Sequence, residues 1–272
     1  MTTRKTANWI ASAPKRDDKT PQSRYSIAGR RVEKPARIEA ATNASRPSAS
    51  TSREAGSGLG SERQRTRMVE RIAGRGVRDA LVLQAVDRVP RDLFVEPGFA
   101  SRAYEDSALP IGHGQTISQP FIVARMLEIM RNGRTLNRLL EVGTGCGYQA
   151  AVMAQIAPHV ISIERIRALH EQARLNLRSL RLSGLRLHYG DGRIGYADGG
   201  PYDGIVMAAV GSGLPQPLLE QLAIGGRLIA PVTGPDGDQR LVCVDRRGPK
   251  DWQSVEMDVV HFVPLRSGTS ES

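Results

Sequence analysis

The chain has 272 residues, two cysteines and a formal net charge of +10. This length suits one domain with a tail better than two small domains, and so few cysteines indicate no disulfide framework and favour a reducing compartment. No apolar run approaches the roughly 20 residues of a membrane span, and the opening residues lack the pattern of a secretion signal, so we expect a soluble, cytoplasmic protein.

The first 60 residues carry most of the positive charge. They hold 12 Lys or Arg against 5 Asp or Glu, a surplus of seven out of the total of ten. Rich in Ser, Ala, Thr, Arg and Pro and without an apolar period, residues 1–60 are predicted to be a disordered basic tail. Such an arm could bind RNA or another anionic partner, but a solvated tail is the simpler interpretation. Order is expected over residues 61–272.

Two short helices are predicted at the start of the ordered region. Apolar residues from Met68 to Val86 fall on one helical face, and Gly74 and Gly76 divide this pattern. The helices, with the loop that follows, form a predicted N-terminal part over residues 61–130.

The loop at residues 109–120 is dense in glycine and small polar side chains, and an amphipathic helix is predicted after it at residues 121–130. Ser118 and Thr116 offer hydroxyl groups, and the first amides of the helix offer donors that suit a carboxylate. Alternatively, Ser118 is simply the N-cap of that helix. This stretch alone leaves both interpretations open.

A glycine-rich turn follows an apolar run at residues 139–142 and leads into a helix, which is a strand–turn–helix pattern. Gly143, Gly145 and Gly147 allow positive φ angles and let a ligand approach the backbone. Such turns bind dinucleotides, phosphates or S-adenosylmethionine. The Gly-x-Gly-x-Gly spacing and the acidic Glu141 disfavour a phosphate and suit a ligand with a positive amino group. A plain tight turn is the alternative.

Two further acids follow predicted strands. Glu164 ends a strand at residues 159–163, where a carboxylate can accept hydrogen bonds from both ribose hydroxyls; the alternative is an ion pair with Arg165 or Arg167. After a helix over 166–182 and a strand over 185–189, Asp191 lies between two glycines. It could accept a hydrogen bond from the exocyclic amine of an adenine, or the segment could be only a turn.

The rest of the chain completes an alternating pattern. A strand at residues 205–209, a helix begun by Pro215 and Pro217, a helix cap at Gly225-Gly226 and a strand at 228–232 continue the α/β order. The apolar runs at 241–244 and 255–263 predict an antiparallel hairpin. These elements give a doubly wound, mostly parallel seven-stranded sheet, the Rossmann-like fold of adenosylmethionine-dependent methyltransferases, with N-terminal helical additions. The five histidines lack metal-ligand spacing, so we expect no metal.

The sequence resembles the protein-L-isoaspartate (D-aspartate) O-methyltransferases, which methylate isomerised aspartyl residues. The resemblance covers roughly 200 residues. It rests on motifs that occur in the family's order: residues 89–95, 104–106, 111–120, the glycine turn, 190–192 and 262–265. Among them, the Gln-Thr-Ile-Ser-Gln-Pro loop is the most specific to the family.

The resemblance implies a role for each candidate site residue. Ser118 would be the active-site serine beside the substrate carboxylate, with Thr116, Ile117 and Gln119 also contacting the substrate. The implied residues for S-adenosylmethionine are Glu141, Gly143, Thr144, Gly145, Gly147, Glu164, Asp191 and Gly192. Two positions depart from the family pattern: Cys146 replaces a serine, which suggests sensitivity to thiol oxidation, and Phe121 replaces a tyrosine.

The implied activity is protein repair. Residues 61–272 would be the methyltransferase domain, with a cofactor-binding sheet over 131–266, and would methylate the free carboxylate of L-isoaspartyl or D-aspartyl residues in damaged proteins. The ester would then close to a succinimide and reopen in part to aspartate. We expect a monomer without membrane or nucleic-acid partners. The alternatives are an adenosylmethionine-dependent enzyme with another substrate, and a nucleic-acid-associated protein that acts through its basic tail.

Overall fold

The computed structural model describes residues 58–271, so the tail predicted at residues 1–60 lies almost wholly outside the described residues. Six α-helices are found in this part of the chain: α1 Gly58–Gly74, α2 Ala80–Arg88, α3 Pro120–Arg131, α4 Tyr148–Met153, α5 Arg167–Leu177 and α6 Gln216–Gln221. Its strands are β1 Leu109–Pro110, β2 Thr116–Ile117, β3 Arg138–Val142, β4 His159–Glu164, β5 Leu185–Tyr189, β6 Tyr202–Met207, β7 Leu222–Thr233, β8 Gln239–Gly248 and β9 Asp251–Val259.

Seven strands form one sheet in the order β5-β4-β3-β6-β7-β8-β9. The pairs from β5 to β7 are parallel, and β8 and β9 add an antiparallel hairpin. The predicted doubly wound, mostly parallel sheet is therefore confirmed. Because β3 lies between β4 and β6, the strand order reverses at its carboxyl end, which is where ligands bind in open α/β sheets.

The helices cover both faces of this sheet. Buried side chains of α1 to α5 join one apolar cluster, and those of α6 join the other, with β3 contributing to both through the fully buried Leu139 and Leu140. A strand buried on both faces is typical of a parallel sheet between helical layers. No helix between residues 58 and 271 combines the length and apolarity needed to cross a membrane.

Three predicted element boundaries are wrong. The helix predicted to reach residue 182 ends at Leu177, because the next residues tighten into a 3-10 turn and Arg181 adopts a left-handed φ of 48°. Gly225 and Gly226 do not cap a helix, since they lie inside β7 where its pairing with β6 is irregular. The strand predicted at residues 205–209 is β6, which begins and ends earlier.

The last predicted strand, residues 255–263, has the right length but is displaced, because β9 begins at Asp251, four residues earlier. β9 ends at Val259, and the chain then leaves the sheet. Val210 donates its N–H to Val263 O at 2.8 Å, and Leu265 donates to Val210 O at 2.7 Å. The segment thus pairs with the residues that follow β6, which carries it towards the carboxyl ends of the parallel strands.

Candidate active site

A crevice opens at the carboxyl end of β3, between the glycine turn, the end of β4 and the loop before α3. Most of the residues predicted from the sequence line it together: Thr116, Ile117, Ser118, Glu141, Gly143, Thr144, Gly145, Glu164 and Gly192. Residues that lie up to 76 positions apart in the chain therefore meet in one site, as the strand order requires.

The backbone amides of the glycine turn are used within the protein. Gly143 and Thr144 both donate to Ile163 O, at 2.9 and 3.2 Å. Gly145 donates to Glu164 Oε2 at 2.8 Å. A pyrophosphate site needs a concave set of free N–H groups, and these three are already paired. The turn therefore fits a ligand without phosphate, which supports the choice made from the glycine spacing.

Glu164 connects the glycine turn to the loop after β4 through hydrogen bonds. The residue is 4% exposed, and besides the Gly145 N–H its carboxylate accepts the Ile166 N–H at 2.9 Å through Oε1. Each carboxylate oxygen has two acceptor positions, so one on each remains for ligand hydroxyls. The alternative of an ion pair with Arg165 or Arg167 is wrong, because those side chains bond to Gly268 O and to Glu271.

Glu141 lies at the floor of the crevice and is fully buried. Burial raises the pKa of its carboxyl to about 8, against the opposing hydrogen bond from Ser162 and the nearby amide of Gln149. The Ser162 hydroxyl donates to Glu141 Oε2. Glu141 Oε1 and Gln149 Nε2 are both buried, and neither completes a hydrogen bond. The crevice therefore offers one acceptor and one donor to a ligand with amino and carboxylate groups.

Gln149 and Ser162 were missed in the sequence. Gln149 is 7% exposed within α4, and Ser162 is fully buried within β4. Both interrupt otherwise apolar stretches, and an isolated polar residue at a core position is the signal that could have identified them.

Gly147 does not line the crevice, contrary to the prediction. It precedes α4 with a φ of 93°, and a Cβ built on it would lie 3.0 Å from Leu177 Cδ1. Its role is thus to start α4 and to let that helix pack against α5. Gly192 does line the crevice, but a Cβ there would lie 2.5 Å from Val142 Cγ1, so close packing on β3 also requires glycine.

Asp191 and Gln119 also lie outside the crevice lining. Both carboxylate oxygens of Asp191 are engaged by backbone: Oδ1 accepts the Arg193 N–H at 2.9 Å, and Oδ2 accepts the Gly268 N–H at 2.7 Å. Gln119 is the N-cap residue of α3 but makes no capping hydrogen bond with its side chain, and it lines a neighbouring cavity.

Ser118 stands between this crevice and the neighbouring cavity and lines both. It is not the N-cap of α3, because Gln119 occupies that position. Asp106 holds the helix start instead, with Oδ1 accepting the Phe121 N–H at 3.1 Å. Among the described residues the Ser118 hydroxyl has no hydrogen-bond partner, so it is free to bind a ligand.

The neighbouring cavity is wider and carries a mixed lining. At its rim the Arg75 guanidinium lies 3.6 Å from the centroid of the Phe121 ring and pairs with Asp106. Arg125 pairs with Glu128 and approaches Asp258. The combination of an aromatic ring, paired charges and open space suits an extended peptide better than a small apolar molecule.

Cys146 follows the glycine turn's central residue but is 4% exposed. Burial raises the pKa of its thiol to about 11. The thiolate is the reactive form of cysteine, so both features oppose oxidation, contrary to the expectation drawn from the sequence.

A buried arginine joins the N-terminal part to the turn. Arg91 is fully buried, and its side chain donates to Ala103 O at 2.7 Å and to Ser107 O at 3.2 Å. Its guanidinium lies 4.9 Å from the centroid of the Tyr148 ring, in the first turn of α4. Arg91 therefore fixes the segment before the Ser118 loop relative to the helix that follows the glycine turn.

No group of three or more His, Cys, Asp or Glu side chains that could hold a metal ion is found among residues 58–271. The polar groups of the crevice include an acceptor at Glu141, a donor at Gln149 and the two oxygens of Glu164. They suit an organic ligand.

Comparison with known proteins gives a consistent result. A model of the protein-L-isoaspartate(D-aspartate) O-methyltransferase family matches residues 63–270. A protein-L-isoaspartate O-methyltransferase of Burkholderia ambifaria is 59% identical over 211 residues, which is 77% of this chain and 68% of that protein. The chain thus spans about two thirds of that relative's length.

Solved structures agree with this match. A protein-L-isoaspartate O-methyltransferase structure superposes with a TM-score of 0.67 at 27% identity, over 75% of this chain and 66% of that one. A structure described as a putative protein-L-isoaspartate O-methyltransferase of Plasmodium falciparum, in complex with S-adenosyl-L-homocysteine, gives a TM-score of 0.64 at 24% identity over 74% of this chain and 98% of that one, which supports the fold. The chain belongs to the protein-L-isoaspartate(D-aspartate) O-methyltransferase family.

Proposed function

We propose that the crevice binds S-adenosylmethionine and that the chain transfers its methyl group to the free carboxylate of isoaspartyl or D-aspartyl residues in damaged proteins. The observation that carries this proposal is the position of Ser118, whose unpaired hydroxyl borders both the crevice and the wider cavity. A cofactor in one and a peptide in the other would meet beside it.

The polar groups of the crevice match the chemical groups of this cofactor. Glu141 Oε1 would accept a hydrogen bond from the amino group of the methionine moiety, and Gln149 Nε2 would donate one to its carboxylate. The free acceptor positions of Glu164 would bind the ribose hydroxyls. When bound, the cofactor supplies an electrophilic methyl group on a sulfonium. The paired amides of the glycine turn are no obstacle, because the ligand carries no phosphate.

The chain's contribution to the reaction is mainly orientation. A carboxylate is already ionised near neutral pH, so attack on a methyl group needs no strong base. Alignment of the two reactants can supply several kcal/mol of the barrier. Ser118 would donate a hydrogen bond to one carboxylate oxygen and leave the other directed at the cofactor. Thr116 lines both cavities too and would assist, whereas Ile117 supplies an apolar wall of the crevice.

Substitution of Ser118 tests this assignment. A hydrogen bond to a charged group contributes about 1.5–3 kcal/mol, so we expect Ser118→Ala to lower kcat/KM for an isoaspartyl peptide by roughly 10- to 150-fold. The affinity for S-adenosylhomocysteine should stay within about threefold, since Ser118 is assigned to the substrate. The control is Ser179→Ala, on an exposed turn after α5. A variant that keeps its rate, or loses cofactor affinity in proportion, contradicts the assignment.

The remaining aspects of the assignment are also proposals. Residues 61–272 would be the methyltransferase domain, which the family match over residues 63–270 supports, and residues 1–60 would be a separate basic tail. A monomeric state is proposed as well. A cytoplasmic location is proposed because Cys146 and Cys243 are both unpaired.

A further inference from the structure

The chain leaves the sheet after β9 beside the wider cavity that borders Ser118. Residues 260–263, termed here the exit segment, follow Val259, which is the last residue of β9. The exit segment forms part of the lining of that cavity, and its last residue, Val263, also lines the crevice. The path of the exit segment therefore sets the shape of the wall along which a peptide substrate would lie.

Gln239, the first residue of β8, holds the exit segment by three hydrogen bonds. Gln239 O accepts the Val260 N–H at 2.9 Å. The Gln239 side chain then bonds to both backbone polar groups of Phe262: Oε1 accepts the Phe262 N–H at 2.6 Å, and Nε2 donates to Phe262 O at 3.3 Å. One residue thus fixes two alternate positions of the exit segment.

The side-chain amide of Gln239 takes the place of one more residue of the strand. Hydrogen-bonded residues in an antiparallel pair exchange two N–H···O bonds, and the Gln239 amide exchanges the same two bonds with Phe262. Since β8 begins at Gln239, no earlier residue of β8 is available to pair with Phe262. Glutamine suits this position because its amide offers an acceptor and a donor together.

Gln239 lies behind the cavity wall, because it lines neither the crevice nor the wider cavity. Its own position is fixed by pairing with Thr233 of β7. Further along the chain, Val210 bonds to Val263 and Leu265 independently of Gln239. Loss of the Gln239 amide would therefore loosen the wall that borders the wider cavity and leave the wall that borders the crevice attached.

We propose that Gln239 is a positioning residue for the peptide substrate: its side-chain amide fixes the peptide group of Phe262, and with it the wall of the cavity beside Ser118. Gln239 has this role only if that cavity receives the isoaspartyl peptide, so the assignment rests on the proposed function. Neither reactant needs to contact Gln239. The expected signature of such a residue is a higher KM for the peptide, with kcat and cofactor affinity nearly unchanged.

Three substitutions separate the amide from the rest of the side chain. Gln239→Met keeps the length but removes the donor and the acceptor, Gln239→Ala also removes the bulk, and Gln239→Asn keeps the amide on a shorter side chain. The matched control is Gln253→Met, the same change at an exposed position of β9. Steady-state kinetics with an isoaspartyl peptide, calorimetry with S-adenosylhomocysteine and hydrogen exchange of backbone amides are measured on the full chain, and thermal melts check folding.

We expect Gln239→Met and Gln239→Ala each to raise the KM for the peptide by about tenfold, because two hydrogen bonds of ordinary strength are lost. The kcat and the affinity for S-adenosylhomocysteine should stay within about threefold of the unmodified chain. The Phe262 amide should exchange faster, while the amides of β8 keep their protection. Gln253→Met should match the unmodified chain in every measurement.

An unchanged KM in a variant whose Phe262 amide exchanges freely would overturn the proposal, and so would unchanged protection of that amide in Gln239→Met. A loss of cofactor affinity in proportion to the rise in KM would also overturn it, because Gln239 would then act on the whole site. If Gln239→Met and Gln239→Ala do not fold, Gln239→Asn decides by the same criteria. Failure of the unmodified chain to methylate the peptide would instead refute the proposed function, and the exchange measurement would still test the contact between Gln239 and Phe262.

Discussion

Replacement of Glu141 by glutamine should change how stability depends on pH. Burial raises the pKa of this carboxyl from 4.5 to about 8, so between these values the folded chain holds a proton that the unfolded chain has released. Stability from this group is therefore fully present below about pH 4.5 and is lost as the pH rises through 8. Glu141→Gln is neutral throughout and should lack this loss.

The size of the effect follows from the same pKa. The slope is at most about 1.4 kcal/mol per pH unit, which gives about 2–3 kcal/mol between roughly pH 5.5 and 7.5. A domain of this size changes its Tm by roughly 2–4 °C per kcal/mol. The Tm of the unmodified chain should thus fall by roughly 5–10 °C relative to Glu141→Gln over that range.

Thermal melts at a series of pH values provide the assay, and Glu171→Gln, which changes an exposed acid on α5, is the control. Parallel curves for the unmodified chain and Glu141→Gln would refute the reasoning, because they would mean that Glu141 is ionised in the folded protein. Calorimetry gives an independent check. If Glu141 pairs with the amino group of the cofactor, S-adenosylhomocysteine binding near pH 7 should release about one proton, and Glu141→Gln should release none.

Two further predictions concern the glycine turn. Gly147→Ala should lower the free energy of unfolding by about 1–3 kcal/mol, because the added Cβ contacts Leu177 and the backbone φ of 93° is strained for alanine. Denaturant titration measures this change. A variant that folds normally but binds S-adenosylhomocysteine much more weakly would show instead that Gly147 belongs to the cofactor site. Cys146 should react with a thiol reagent at least about 100-fold more slowly in the native chain than in denaturant, because its thiol is buried and its pKa is raised to about 11. Fast labelling of Cys146 in the native chain would contradict this burial.

The sheet was readable from the sequence because its signals are local. The apolar runs of β3 and β4 are short, lie between turn residues and are separated by a helical pattern, which together identify parallel strands. The end of α5 was not predictable, because the left-handed position after it is occupied by Arg181 and not by a glycine, which is the usual sequence signal for the end of a helix. The position of β9 was not predictable either, because the apolar residues at 263–265 lie outside the sheet strand, where they pair with Val210 and line the crevice.

The sequence predicted those site residues whose position follows from the strand on which they lie. Glu141 is the second-to-last residue of β3 and Glu164 is the last residue of the adjacent parallel strand β4, so their proximity follows from the topology. Gly147 and Asp191 could not be assigned in this way, because spacing in the chain does not distinguish a glycine that faces a ligand from one that faces Leu177. It also does not show whether a carboxylate points into the crevice or at Gly268. These distinctions depend on tertiary contacts with residues 30 to 77 positions away.

Methyl transfer to an isoaspartyl peptide is the most direct test of the proposed function. Purified chain is incubated with S-adenosylmethionine labelled in its methyl group and with either an isoaspartyl peptide or the peptide of the same sequence with normal aspartate. We predict base-labile methyl esters on the isoaspartyl peptide and none above background on its aspartyl counterpart. Equal labelling of the two peptides, or no labelling of either by a chain that binds S-adenosylhomocysteine, would contradict the proposal.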